Sequence, residues 1–137
     1  MGEPARHTLR LESPPGDVNA VHDLLETVWA DATGLSMRDR VSFETALIEL
    51  ASNIIGHADT GSGVTCTLTI EITDDRMEAT LRDTGECGNI DLRHRSMPDD
   101  LAESGRGLAL IQALVDDLDF SQEGNLNRWH IARKRES

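Results

Sequence analysis

Three polar residues with helical spacing form the first candidate site in the chain. Glu49, Asn53 and His57 are four residues apart, so in a helix they form one polar stripe beside a broad apolar face. A carboxylate and an amide in this arrangement offer oxygen atoms that can share a hard cation and its bound water. A solvated helix surface has the same pattern, so the stripe alone leaves both interpretations open.

A second candidate is a single carboxylate at the end of an alternating segment. Residues 77–81 alternate as in a strand with one apolar face, and Asp83 continues that face. A carboxylate there needs a partner, because burying an unpaired charge is costly. Gly85 follows closely and lets a ligand approach the backbone. Either the strand ends at Arg82 and Asp83 opens a turn, or Asp83 is aimed at the exocyclic amine of a purine.

A glycine-rich segment at 103–108 is the third candidate, because it opens a helix. Gly105-Arg106-Gly107 presents backbone N–H groups at the positive end of the helix dipole, which favours an anion. Ser104 is also suited to be an ordinary N-cap, so the alternative is a helix start without a ligand.

Hydropathy patterns predict the elements that position these residues. Ser36 and Asp39 form an acidic variant of the capping box that starts the second helix. The third helix is expected to carry Leu108, Ile111, Val115 and Leu118 on one side. In chain order the elements are a strand at 7–12, a helix at 17–34, a helix from about 37 to 58, a strand at 64–73, a strand from 77, a polar loop at 86–104, a helix after 107, and strands near 119–122 and 128–134.

The resulting order, β-α-α-β-β-α-β-β, predicts an α/β (α+β) protein with two layers. Strands with one apolar and one polar face are typical of a sheet covered on one side, so we expect a mixed, mostly antiparallel sheet with helices on one face. Residues 1–137 are expected to form a single domain, because this length buries a core without disulfides or metal.

Charge and cysteine content exclude some classes of protein. The net charge of -12 is spread along the chain, which argues against a nucleic-acid or anionic-membrane partner. Cys66 and Cys87 form no CxxC pair, so reduced thiols are expected. The sequence has no signal-peptide pattern and no apolar run long enough to span a bilayer, so a cytoplasmic location is predicted.

Taken together and in this order, the three candidates resemble the motifs of the GHKL (histidine-kinase-like) ATPase superfamily, which has a Bergerat-type ATP-binding fold. Residues 49–58 resemble its N box, residues 83–88 its G1 box and residues 105–108 its G2 box. The resemblance makes residues 89–104 an ATP lid. One departure is Cys87, which stands where the family's Asp-x-Gly-x-Gly pattern commonly has its second glycine.

The resemblance also implies roles for individual residues. Glu49 corresponds to the catalytic base, Asn53 to the Mg²⁺ ligand and Asp83 to the residue that binds adenine. Arg106 either reaches the γ-phosphate or points to solvent, and His57 has no derived role. The remaining residues implied in nucleotide binding are Gly85, Ser104, Gly105, Gly107 and Leu108.

Within the superfamily, a domain of this size resembles the anti-sigma-factor serine kinases. Those proteins use ATP and Mg²⁺ to phosphorylate a serine of an antagonist protein, and they hold a sigma factor inactive. The resemblance therefore implies a sigma factor and an anti-sigma-factor antagonist as partners, with no direct nucleic-acid or membrane contact; a homodimer is one open alternative. A non-catalytic, ATP-gated protein-binding switch and a nucleotide-free interaction domain are the competing hypotheses.

Overall fold

A computed structural model describes residues 5–13, 18–32, 34–58, 64–84 and 105–136, with the backbone alone at 5, 13, 56–58, 64 and 105–108. The elements agree with the predicted order of strands and helices. They are β1 (Ala5–Ser13), α1 (Val18–Asp31), α2 (Met37–Ala58), β2 (Val64–Ile72), β3 (Arg76–Asp83), α3 (Gly105–Leu114), β4 (Asp117–Glu123) and β5 (Leu126–Lys134).

The five described strands form one sheet in the order β1-β2-β3-β5-β4. Each of the four strand pairings is antiparallel. The helices α1, α2 and α3 pack on the face that carries the apolar side chains. The predicted two-layer α+β architecture is confirmed, and no parallel pairing occurs among the described strands.

Alternate residues of the three central strands point into the core, as the hydropathy pattern predicts. Their neighbours, such as Thr67, Thr69 and Thr80, are half-buried on the opposite face. This alternation arises because successive side chains of a strand point to opposite faces of the sheet. The residues of these strands that belong to the buried core cluster are Cys66, Leu68, Ile70, Ile72, Met77, Ala79, Leu81, Trp129 and Ile131.

Helix α2 begins at the predicted cap and buries one side along its length. The backbone N–H of Asp39 donates to Ser36 Oγ at 3.0 Å, which satisfies one of the free donors of the first turn. The rings of Trp29 of α1 and Phe43 pack edge to face, with ring centroids 6.4 Å apart. The apolar side of α2 consists of Phe43, Ala46, Leu47, Leu50, Ala51 and Ile54.

A buried ion pair joins the start of α2 to the end of β5. Arg133 Nε donates to Asp39 Oδ1 at 3.0 Å, and the backbone N–H of Glu136 donates to Asp39 Oδ2 at 2.8 Å. Arg133 Nη1 also donates to the carbonyl of Leu114 at 2.7 Å, at the end of α3. Burial by itself raises the pKa of the Asp39 carboxyl, but the hydrogen bonds from Glu136 and Arg133 outweigh it and hold that pKa below its ordinary value.

The end of the third helix differs from the prediction. Helix α3 stops at Leu114, and Leu118 lies in β4, paired with Ile131. The backbone N–H of Asp116 donates to the carbonyl of Ala132 at 2.8 Å, so pairing with β5 replaces the next helical turn. Within the described ranges, no helix is both long and apolar enough to cross a membrane.

Candidate functional site

Asp83 lies inside the sheet rather than in a turn. It is the last residue of β3, it is paired with Asn127 of β5, and it is 1% exposed. The ladder continues beyond it, because Thr84 N donates to the carbonyl of Thr65 and Thr65 N donates to Thr84 Oγ1, each at 3.0 Å. The interpretation that the strand ends at Arg82 is therefore wrong, and Asp83 occupies the buried face.

The carboxylate of Asp83 has a buried amide as a partner. Asn127 is 2% exposed, and its Nδ2 donates to Asp83 Oδ1 at 3.0 Å. On the other side, Gln122 Nε2 donates to Asn127 Oδ1 at 3.4 Å. Sequence reasoning missed Asn127, although its alternation with Trp129 and Ile131 placed it on the apolar face.

Cys66 lies on the opposite side of Asp83. The two residues are paired between β2 and β3, and Cys66 is a buried free thiol. Burial and the nearby negative charge of Asp83 raise the pKa of the Cys66 thiol to about 12. The thiol is therefore protonated at neutral pH and adds no second negative charge beside Asp83.

Two residues of the polar stripe of α2, Glu49 and Asn53, have described side chains, and both are half-buried. Leu50 and Ile54 fix the orientation of the helix by packing in the core. The Nδ2 atom of Asn53 is buried and makes no hydrogen bond within the described part of the chain. The NH₂ group of Asn53 is thus unpaired among the described contacts, while the amide oxygen of Asn53 and the Glu49 carboxylate are oxygen atoms of the kind that Mg²⁺ prefers.

Arg133 is a reference point for the relative positions of the candidate residues. Arg133 pairs with Met77, so the sheet end that carries Asp83 is about 20 Å away along β3. Arg133 also holds Asp39 at the start of α2, and Asn53 is about 21 Å further along this helix. Helix α2 contacts both β3 and β5, so Asn53 and Asp83 lie at similar distances from Arg133 along elements that pack on one another.

The same reference point orients α3. Its last residue, Leu114, is held by Arg133, and its first residue, Gly105, is about 14 Å away along the helix axis. The free N–H groups of the first turn of α3 therefore lie at the end of this helix that is away from Arg133. The stripe on α2, Asp83 and the start of α3 are distant in sequence, and each lies in the part of its element that is away from Arg133.

The remaining predicted site residues have no described side chain. Gly105, Arg106, Gly107 and Leu108 form the first turn of α3, where the backbone alone is described, and the same holds for His57 at the end of α2. Gly85, residues 86–88, Ser104 and the predicted lid at 89–104 lie outside the described residues.

Comparisons with known proteins identify the family. Residues 11–128 match the family model described as the histidine kinase-like ATPase domain. The chain belongs to this family. The superfamily predicted from the three sequence motifs is therefore confirmed, and the match covers most of the chain.

Two proteins resemble this histidine kinase-like ATPase domain over much of its length. The serine-protein kinase RsbW of Halalkalibacterium halodurans is 28% identical over 105 residues, covering 71% of this chain and 64% of the relative. The crystal structure of the RsbU and RsbW domains of Rv1364c from Mycobacterium tuberculosis aligns with a TM-score of 0.61 at 17% identity. That alignment covers 99% of this chain and 34% of the other, so it supports the fold. The chain thus spans less than two thirds of either protein.

Proposed function

We propose that the chain is a Mg²⁺-ATP-dependent serine/threonine protein kinase of the anti-sigma-factor type. In this proposal it phosphorylates a serine or threonine of an anti-sigma-factor antagonist and holds a sigma factor inactive in the cytoplasm. Family membership and the similarity to a protein named serine-protein kinase RsbW support this assignment.

One observation carries the proposal: Arg133 contacts or pairs with one end of α2, α3 and β3, and three groups with different chemistry lie toward the other ends of these elements. A buried carboxylate lies at the end of β3, a carboxylate–amide stripe lies on α2, and a helix start lies at Gly105. The buried carboxylate suits an adenine, the carboxylate–amide stripe suits a divalent cation, and the helix start suits a phosphate chain. Desolvation of the buried Asp83 carboxylate opposes folding, and a hydrogen bond from a bound amine would help to offset that cost.

Each end of the nucleotide is assigned to different residues. Asp83 accepts a hydrogen bond from the exocyclic amine of adenine. The backbone N–H groups at Gly105 and Gly107 donate to the phosphates, assisted by the positive end of the dipole of α3. Ser104, Arg106 and the backbone beside Gly85 are the remaining proposed contacts.

Asn53 and Glu49 are assigned to the metal and to catalysis. Asn53 is the proposed Mg²⁺ ligand through its amide oxygen. When bound, Mg²⁺ neutralises the negative charge of the phosphates and orients them. Glu49 lies one helical turn earlier and accepts the proton of the attacking hydroxyl, whose oxygen bonds to the γ-phosphorus as ADP leaves.

The experiment that tests this function is a phosphorylation assay with a matched pair of variants. Wild type, Glu49→Gln and Glu26→Gln are incubated with γ-labelled ATP, Mg²⁺ and an anti-sigma-factor antagonist protein. Glu49→Gln preserves the side-chain size and should reduce labelling by about 10²- to 10⁴-fold, because the general base is lost. Glu26 is an exposed glutamate of α1, and its variant should label the antagonist as wild type does.

Two results contradict the catalytic assignment in different ways. Full labelling by Glu49→Gln excludes Glu49 as the base and leaves it a partly solvated helix residue. Absence of labelling by wild type, together with ATP-dependent binding of the antagonist or sigma factor, identifies the non-catalytic ATP-gated switch instead.

A further inference from the structure

We infer that Asn127 is a positioning residue, which orients the Asp83 carboxylate so that the site prefers a 6-aminopurine. This inference rests on the proposed nucleotide site and adds a residue that the sequence motifs do not contain. It is carried by the buried contact between the two side chains, at 3.0 Å from Asn127 Nδ2 to Asp83 Oδ1.

The chemistry of the pair fixes which atom of the amide faces Asp83. An ionised carboxylate only accepts hydrogen bonds, so the donating Nδ2 of Asn127 must point toward it. Gln122 agrees with this orientation, because its Nε2 donates to Asn127 Oδ1 at 3.4 Å on the other side. The amide is therefore held from β4 and donates toward β3.

A neutral donor suits this position better than a cation does. Asn127 stabilises the buried carboxylate without neutralising it, so Asp83 keeps the negative charge that attracts an amine. A carboxylate has about four acceptor positions, so a carboxylate that accepts from Asn127 can also accept from a ligand. The thiol of Cys66 on the other side stays protonated, since its pKa is raised to about 12.

Anchoring Oδ1 has a consequence for specificity. A free carboxylate can rotate about its side-chain bonds, whereas one held by a buried donor is already in its binding orientation. The benefit applies to a ligand that donates a hydrogen bond to Asp83, such as the 6-amino group of ATP. Inosine triphosphate (ITP) has a 6-oxo group that accepts instead, so the anchor gives it no comparable benefit.

The test measures the ratio of ATP to ITP affinity by calorimetry in the presence of Mg²⁺. Wild type is compared with Asn127→Leu, which removes the hydrogen-bond donor. It is also compared with Asn127→Thr, which keeps a hydroxyl donor on a shorter side chain that is common in strands. Asn125→Thr is the matched control, because Asn125 is exposed in the turn between β4 and β5. Thermal unfolding establishes that each variant is folded.

We expect Asn127→Leu to lower ATP affinity by about tenfold or more and ITP affinity by less than about twofold, since a hydrogen bond to a charged group is lost. Asn127→Thr should give a smaller loss in the same direction, and Asn125→Thr should match wild type. Equal losses for ATP and ITP would show that Asn127 only supports the fold. An unchanged ratio in both Asn127 variants would also overturn the inference. Failure of wild type to bind ATP, or to prefer it over ITP, would instead refute the nucleotide site itself.

Discussion

Removing the Asp39 carboxylate should destabilise the protein strongly, because this group joins α2 to β5. Asp39 is 1% exposed, and it accepts hydrogen bonds from Arg133 at 3.0 Å and from the backbone of Glu136 at 2.8 Å. Asp39→Ala leaves the guanidinium of Arg133 without its buried partner. Breaking a buried pair in this way costs about 3–5 kcal/mol, which corresponds to a fall in Tm of roughly 10 °C or more for a chain of this size.

The loss of stability caused by Asp39→Ala should also depend on pH, and the lowered pKa of Asp39 sets the direction of that dependence. The folded-state pKa of Asp39 is lowered, so the ionised carboxylate stabilises the fold at pH values above its unfolded-state pKa of about 3.9. That contribution disappears as the pH falls through the lower, folded-state pKa. The difference in unfolding free energy between wild type and Asp39→Ala should therefore be largest at neutral pH and shrink below about pH 4.

Urea denaturation at several pH values measures both effects. The control is Arg38→Ala, since Arg38 is 77% exposed and its contact with Glu136 is 3.8 Å long. Such a surface pair contributes about 0–1 kcal/mol. A cost below about 1 kcal/mol for Asp39→Ala, or a difference from wild type that stays constant down to pH 2, would refute the assigned role of this ion pair.

Two further predictions concern Cys66 and the turn between β4 and β5. Cys66 should resist alkylation by iodoacetamide in the native protein at pH 8 and react in denaturant, because it is buried and its pKa is raised to about 12; native labelling at the denatured rate would contradict this. Gly124 has a φ of +59° with no atom within 4 Å of an added Cβ, so Gly124→Ala should cost about 1 kcal/mol in urea denaturation through backbone strain alone. Gly124→Asn should cost less, since asparagine tolerates this conformation, and equal costs would show that the strain is not the cause.

Local patterns in the sequence predicted most of the fold. The boundaries of α2 followed from the Ser36 cap and the helical period of its apolar residues, and Asp83 followed from strand alternation. These signals lie within a few residues of the feature that they specify. They can therefore be recognised in the sequence without knowledge of the tertiary structure.

Features that depend on distant contacts could not be predicted in this way. The partner of Asp39 is Arg133, 94 residues away, and nothing near either residue indicates the pair. Leu118 continues the helical period of α3, but pairing with Ile131 places it in a strand. Asn127 is intermediate: its alternation was visible, yet its contact with Asp83 depends on β3 and β5 being neighbours in the sheet.

The substitution Asp83→Asn tests the nucleotide site most directly. Asn127 Nδ2 already donates to Oδ1 at this position, so a new amide should keep its oxygen toward Asn127 and turn its own NH₂ toward the base. A donor then meets the 6-amino group of adenine, which is also a donor. The lost charged hydrogen bond and the mismatch together cost roughly 2–4 kcal/mol, or about 30- to 700-fold in Kd.

Calorimetric titration of Mg²⁺-ATP and Mg²⁺-ITP into wild type and Asp83→Asn provides that measurement. The proposed site predicts tight ATP binding by wild type, loss of most ATP affinity in a folded Asp83→Asn variant, and a relative gain for ITP, whose 6-oxo group accepts from the new amide. Unchanged ATP affinity in Asp83→Asn would contradict the assignment of Asp83 to adenine and, with it, the location of the nucleotide site.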